Sequence, residues 1–339
     1  MTPRTPRICV AVPVWRGADY VAETLESVLR QRGAELTIVV SVDGGDEASE
    51  AACRPFLADS RVRLLVQRRR LGWVGNSSAA LAAAAAEGAD YACLQPHDDV
   101  LEDDYLAALL AAAEANPDAA VVYSDIQSFG TRDGVIRQPT IAGSPFERQI
   151  GLLRDHFAAV AWRGLTRVSA LRSILPMAGN PCENFAADTV WMARQALVGD
   201  LVRVPQALYR KRFHANNTHI QWFAWSYERR MTAWIRHCLD MLAEALKASY
   251  TPSERRMLHR AARMRLLQRA TSTSPYRRDL VGMNPLARAR MRSRFDVAGA
   301  LRADVGPPET AGRFRAGSRA VSALKHILSG RKLQGLVDE

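Results

Sequence analysis

"DYACLQPHDDVLEDDYL", residues Asp90 to Leu106, is the stretch on which the fold turns. A short apolar run stops at Pro96, and five acids (Asp98, Asp99, Glu102, Asp103 and Asp104) then fall within seven positions. An apolar run ending in a turn reads as a buried strand. The acids that follow suit the positive end of a helix dipole, which fits the helical pattern of "DDYLAALLAAAEANP". Crowded carboxylates at a strand end also supply hard oxygen ligands for Mg²⁺ or Mn²⁺.

The same alternation continues on both sides. "RICVAVPV" reads as a strand, and "YVAETLESVLRQRG" carries Val21, Leu25, Val28 and Leu29 at helical spacing up to Gly33. "LTIVVSVDGG" is a buried strand ending in a turn, "EASEAACRPFLAD" a short helix and "VRLLVQ" a third strand. Asn76 to Ser78 are cap candidates for an alanine-rich helix closed by Gly88, and "AAVVYSD" is a further strand. This β-α-β-α rhythm predicts an α/β fold, a mostly parallel, Rossmann-like sheet flanked by helices, with ligands at the strand C-terminal ends. "PVWRG", "VDGGD", "RRRLGWVG" and "PHDD" then all face one crevice. Glycines let backbone approach a ligand, and Arg68, Arg69 and Arg70 suit a diphosphate.

The bulk numbers narrow the classes. The chain has 339 residues, 48% of them hydrophobic, so one large domain plus an appendage is expected. No apolar run approaches the roughly 18 residues of a membrane-spanning helix. The β-branched segment Ile8 to Val14 runs into Pro13 and reads as a strand, not a secretion signal. Five scattered cysteines (Cys9, Cys53, Cys93, Cys182, Cys238) show no zinc or disulfide spacing and suit a reducing cytosol. Of the net charge of +11, none resides in residues 1–220, which hold 23 Lys and Arg against 25 Asp and Glu. Residues 221–339 hold 23 against 10, a basic region fit for an anionic partner.

"VAVPVWRGADYVAETLESVLRQ", "VSVDGG", "RRLGWVGNSSAAL", "DYACLQPHDDVLEDDYL" and "ADTVWMARQALVGDLVRVPQALYRKRFH", in that order, resemble the landmarks of family 2 glycosyltransferases. The resemblance covers roughly residues 7 to 219 and implies the GT-A fold. It implies sugar transfer with inversion from a nucleotide-diphosphate sugar (UDP-, GDP- or dTDP-linked) to the hydroxyl of a sugar, lipid-linked or polymer acceptor. The setting it suggests is synthesis of surface polysaccharide or glycoconjugate. It also implies a divalent metal, Mn²⁺ or Mg²⁺.

Residue by residue, the resemblance puts Pro13, Val14 and Trp15 at the nucleotide base and Asp43 on the base as hydrogen-bond acceptor. The alternative for Asp43 is a turn-forming Asp-Gly. Arg70, Gly72 and His97 complete the donor site. The family's Leu-Asp-x-Asp-Asp aligns through "DDVL", so Asp98 and Asp99 are its matched acids and Pro96 stands where the first Asp is expected. Asp98, with Asp99 and His214, is the expected metal set, and Glu102 to Asp104 serve the next helix. Asp188 matches the general base, with Glu183 as runner-up; Asp188 also suits an N-cap. Arg212 is placed at the leaving phosphate, or in a solvated basic loop. Trp162 and Arg163 fall on the acceptor side, and Trp162 suits core equally.

The expected division is a catalytic domain over 1–219, a helical extension over 220–275 and a basic tail over 276–339. In the extension, "HIQWFAWSYERRMTAWIRHCLDMLAEALKASY" is amphipathic and "SERRMLHRAARMRLLQRA" has a basic face. After "TSTSPYRRD" the chain reads as loosely ordered up to an amphipathic helix near 312–332. That helix suits peripheral seating on an anionic membrane at its inner, cytoplasmic face. Nucleic acid is not an expected partner, because the arginines come without a recognised fold or aromatic interleaving. Two rival readings remain: a nucleotidyltransferase on a similar sheet, and a degenerate nucleotide-sugar-binding domain docked by its basic end.

Overall fold

The computed structural model describes residues 4–155, 158–267 and 285–303. Its sheet starts from the apolar runs. In β1 (Arg7–Val14), residues Ile8 to Val12 are wholly buried, as a strand covered on both faces requires. It pairs in parallel with β2 (Glu35–Val42), Arg7 opposite Glu35 and Val14 opposite Val42, and with β4 (Tyr91–Leu94), Ile8 opposite Tyr91. β3 (Val62–Val66) lies outside β2, also parallel. Beyond β4 the strands are β5 (Val100–Leu101), β6 (Ala119–Gly130), β7 (Gly134–Ile136), β8 (Leu165–Arg167) and β9 (Asp200–Phe213). Sheet order is β3-β2-β1-β4-β8-β6-β9-β5, with β7 on β6. β8 is antiparallel to both β4 and β6, whereas β6 and β9 run parallel.

The helices present the stripes their sequences require. α1 (Val21–Leu29) buries Val21, Thr24, Leu25 and Val28. α2 (Glu47–Cys53) is capped by Asp46, whose carboxylate accepts from the Ser49 amide. α3 (Gly72–Ala86) lies on β1 and β2 and begins earlier than its Asn-Ser-Ser run predicts. The cap comes from outside the helix: Asp43 accepts from the amides of Leu71 at 2.6 Å and Gly72 at 2.9 Å. Asn76 therefore falls inside the helix, buried, donating to the carbonyls of Val14 and Ser41 and accepting from the Ser41 hydroxyl.

α4 (Tyr105–Ala115) departs from expectation in another way. Asp104 occupies its N-cap position without a side-chain cap. Asp103 pairs with Arg30 at 3.2 Å and Glu102 with Arg210 at 3.7 Å, so these acids answer arginines on other elements. α5 (Pro145–Asp155), α6 (Val168–Ile174) and α7 (Ala187–Val198) complete the first part.

The chain forms two compact units. One comprises 1–178 and 187–220; the other comprises 179–186 and the residues from Gln221 on. In the second, α8 (Tyr227–Ala245) and α9 (Pro252–Leu267) pack together, and the Trp234 indole donates to the Leu266 carbonyl at 3.1 Å. Phe185 packs with its ring tilted against Trp222 and Trp225 at ring distances of 4.7 and 6.0 Å. A further helix, Pro285–Ala303, occupies sequence expected to be loosely ordered. Pro285 suits its first position, its Ala, Leu, Arg and Met content favours helix, and Met291 and Phe295 are buried. The segment 312–332 lies outside the described residues. Among the described residues no helix is long and apolar enough to cross a membrane.

Candidate functional site

Four parallel strands bring four loops to one sheet edge. After β1, Trp15 is half-buried and the Arg70 guanidinium from the loop after β3 lies 3.9 Å above its ring. Pro13 is half-buried beside it, and its carbonyl meets His97 Nδ1 at 3.2 Å. Val14 contributes through its backbone alone, because its side chain is in the core and its carbonyl accepts from the Asp43 amide at 2.9 Å. The loops touch so closely that side chains are excluded. A Cβ on Gly17 would lie 2.3 Å from the His97 ring, and one on Gly44 2.3 Å from the Arg69 carbonyl carbon.

Asp43 is buried, and both its carboxylate oxygens accept backbone amides, those of Gly44, Leu71 and Gly72. It holds the second loop to the start of α3, which is the turn-forming alternative of the sequence reading.

The acidic loop after β4 divides its two matched aspartates. Asp98 Oδ2 accepts from Asn217 Nδ2 at 3.1 Å and faces His214 Nε2 at 2.9 Å. Burial opposes its ionisation, but the His214 hydrogen bond and the charges of His97, His214 and Lys211 hold its pKa down at about 2. Asp99 is 1% exposed. Its oxygens accept from the Tyr209 hydroxyl at 2.8 Å, the Arg212 amide at 2.9 Å and Arg163 Nε at 3.4 Å. Burial, then the neighbouring Asp98 charge, raise its pKa. Arg212 donates from Nε to the Asp98 carbonyl at 3.0 Å and pairs with Glu23. His214 packs its ring on Tyr20 at 4.7 Å.

Asp188 sits in the first turn of α7 and accepts the Thr189 amide on Oδ1 at 2.9 Å. Among the described residues no hydrogen bond reaches its Oδ2. Burial raises its pKa against the pull of Arg163 and Lys211. The three residues Glu183, Asn184 and Ala186 just ahead of it take left-handed φ values of 51°, 58° and 49°. Such strain is held where the surroundings dictate it. Glu183 belongs to the second unit and pairs there with Arg229.

Trp162 is buried with its edge toward Trp73 at 6.1 Å, and Arg163 is buried on Asp99 and the Ala159 carbonyl. Both are interior residues of the first unit. Arg163, expected on the acceptor side, spends its guanidinium on Asp99 and the Ala159 carbonyl.

The inward turn of Tyr209 and Lys211 escaped the sequence reading. Period-two alternation along β9 puts Tyr209, Lys211 and Phe213 on one face and Arg210 and Arg212 on the other. Both arginines stack on Phe129, at 4.7 and 4.4 Å, while Tyr209 reaches Asp99. Lys211 therefore points with Tyr209 toward the acidic loop. "LYRKRFH" carried this alternation openly, but its run of cations obscured which ones turn inward.

A divalent metal implied by the resemblance fits these donors poorly. Asp99 is fully engaged by protein donors, Pro96 supplies no carboxylate, and Asp98 already answers His214 and Asn217. Among the described residues no group of three or more His, Cys, Asp or Glu side chains is placed to hold a metal ion. Of the expected set, Asp98 and His214 lie together at 2.9 Å, while Asp99 is turned to Tyr209, Arg163 and the Arg212 amide.

Known proteins resemble this chain as follows. Residues 9–174 match the family described as Glycosyl transferase family 2. Glycosyltransferase GlyG of Streptococcus pneumoniae serotype 4 is 27% identical over 128 residues, 38% of this chain and 41% of the relative. Uncharacterized protein y4gI of Sinorhizobium fredii is 35% identical over 135 residues, 38% of this chain and 14% of the relative. The chain thus spans less than half the length of these curated relatives. Among solved structures, S. aureus TarS 1-349 in complex with UDP superposes with a TM-score of 0.62 at 14% identity, over 86% of this chain and 80% of that one. Mannosyltransferase PcManGT from Pyrobaculum calidifontis, in complex with GDP-Man and Mn²⁺, gives 0.52 at 15% identity over 98% and 89%. These neighbours share the GT-A type of α/β sheet flanked by helices. Residues 9–174 therefore form a domain of the glycosyl transferase family 2 type.

Proposed function

We propose that this protein transfers a sugar from a nucleotide-diphosphate sugar to an acceptor hydroxyl with inversion. The first compact unit is the catalytic domain in this reading. The observation that carries it is Asp188, a half-buried carboxylate whose Oδ2 has no hydrogen bond among the described residues, within electrostatic reach of the Lys211 and Arg163 cations beside the acidic loop. The ligands of the structural neighbours support the donor class, since TarS is known in complex with UDP and with UDP-GlcNAc and PcManGT with GDP-Man.

Each residue then has a task. Trp15, Pro13 and Arg70 form the base end of the donor site, where an aromatic and a guanidinium offer stacking faces. Asp43 and Gly72 shape the loop instead of touching the base. Asp98, Arg212 and His97 border the diphosphate. Asp188 takes the proton from the acceptor hydroxyl as the oxygen attacks the anomeric carbon in line. The sugar–phosphate bond breaks, and its electron pair leaves with the nucleoside diphosphate. A surface polysaccharide or glycoconjugate is the expected product class, with the basic second unit seating the enzyme at anionic lipid.

Donor hydrolysis across UDP-, GDP- and dTDP-sugars tests the reading directly. One donor should release its nucleotide, and Asp188→Asn should retain donor binding while transfer drops by about 10²- to 10⁴-fold. Unimpaired transfer would remove Asp188 from the role, and failure of every nucleotide sugar to bind would end the proposal. Binding without turnover in the wild type would instead favour the binding-only reading.

A further inference from the structure

The least explained side chain in the first unit is Lys211. It stands on β9 opposite Ser128, half-buried, with its ammonium 4.9 Å from the Phe213 ring. Among the described residues no hydrogen bond or ion pair reaches its Nζ. Arg163 is within electrostatic range ahead of β8, as are Asp98 and Asp99 after β4 and Asp188 in α7. A cation without a direct partner in such a place costs stability, so a structural role does not account for it. Beside it, the carboxylate pair that would hold a metal is incomplete: Asp99 is taken, and Pro96 replaces the other acid.

Resting on the reading above, we infer that Lys211 supplies the positive charge at the donor's diphosphate that a divalent ion would otherwise bring. Its ammonium contacts the phosphate oxygens in the bound donor. As the acceptor oxygen bonds to the anomeric carbon, the sugar–phosphate bond breaks and its electrons pass to the departing phosphate oxygen. Lys211 stabilises that developing charge, and the acceptor proton goes to Asp188. A fixed ammonium in a half-buried cleft does this without reorganising water. Arg212, at the border of the diphosphate, already divides its guanidinium between the Asp98 carbonyl and Glu23, whereas the Lys211 ammonium is uncommitted.

Calorimetric titration of the full chain with UDP, GDP and dTDP, in EDTA and in Mn²⁺, tests this. The wild type should bind one nucleotide in EDTA. Lys211→Met should weaken that binding by about 10- to 100-fold while unfolding at the same or higher denaturant, because a half-buried charge without an ion-pair partner is removed. Lys211→Arg should restore most of the affinity. Burial and Arg163 push the Lys211 pKa down to about 8, so wild-type affinity should fall as pH rises through that value. In Lys211→Arg the fall should vanish, since a guanidinium keeps its proton. Equal affinity of wild type and Lys211→Met in EDTA would overturn the inference, as would binding that requires Mn²⁺; both leave the transferase reading standing. If no nucleotide binds in either condition, both fall together.

Discussion

At the scale of single residues, adjacent positions with the same side chain do opposite work. Asp98 faces His214 with a carboxylate held at about 2, while Asp99, one residue on, is sealed under Tyr209 and the Arg212 amide. Asp99→Ala should destabilise the fold by about 3 kcal/mol, because the Arg163 guanidinium then stays buried without its carboxylate. Urea unfolding measures this, and a loss below about 1 kcal/mol would show that the pair matters little. Asp188 yields a pH prediction. Its pKa is raised by burial, and a base must be ionised, so transfer should decline on acidification at a pH above the ordinary aspartate value of about 3.9. An acid limb of kcat/KM at or below that value would contradict a raised carboxylate as base. The family resemblance set Asp188 apart from Asp98 and Asp99, but the partners that separate the three come from distant elements.

Individual elements show how tertiary contacts set local boundaries. α3 starts where Asp43 caps it from β2, one turn before its own Asn-Ser-Ser run. Asn76, displaced into the helix interior, ties α3 to both β1 and β2 through three hydrogen bonds. Asn76→Ala should cost about 2 kcal/mol by leaving the buried Val14 and Ser41 carbonyls without this donor. Differential scanning calorimetry should show the lowered midpoint, and an unchanged midpoint would refute the tie. The turn at Gly44 is set the same way. Gly44→Ala should be destabilising by about 1 to 3 kcal/mol, because the added carbon meets the Arg69 backbone, which cannot rotate aside. Strand and helix identities were readable from apolar periodicity, whereas these caps depend on residues about 30 positions away.

For the whole molecule, the second unit takes in a short segment that lies in sequence between the two stretches of the first unit. Residues 179–186 belong with the helices beyond Gln221, and Phe185 is buried against Trp222 and Trp225. A chain ending at residue 220 should therefore expose Phe185. Chymotrypsin should cut there rapidly in the shortened protein and slowly in the full one, and equal protection would show that the segment does not need its tryptophans. A boundary drawn along the sequence at 219 does not separate this segment, because hydropathy says nothing about which distant aromatics a loop will meet.

What the sequence by itself determined is the alternation of β1 to β4 with α1 to α4, the common edge of their loops, and the acids and glycines placed there. Periodicity and turn chemistry are local properties, and parallel pairing of buried strands follows from them. The tertiary structure alone decided that Asp99 is sealed while Asp98 faces His214, which amides Asp43 accepts, that Arg163 lies buried on Asp99, and that Lys211 turns inward among the acids. Those outcomes depend on burial and on partners far along the chain, and a charged side chain's task is fixed by the groups that reach it.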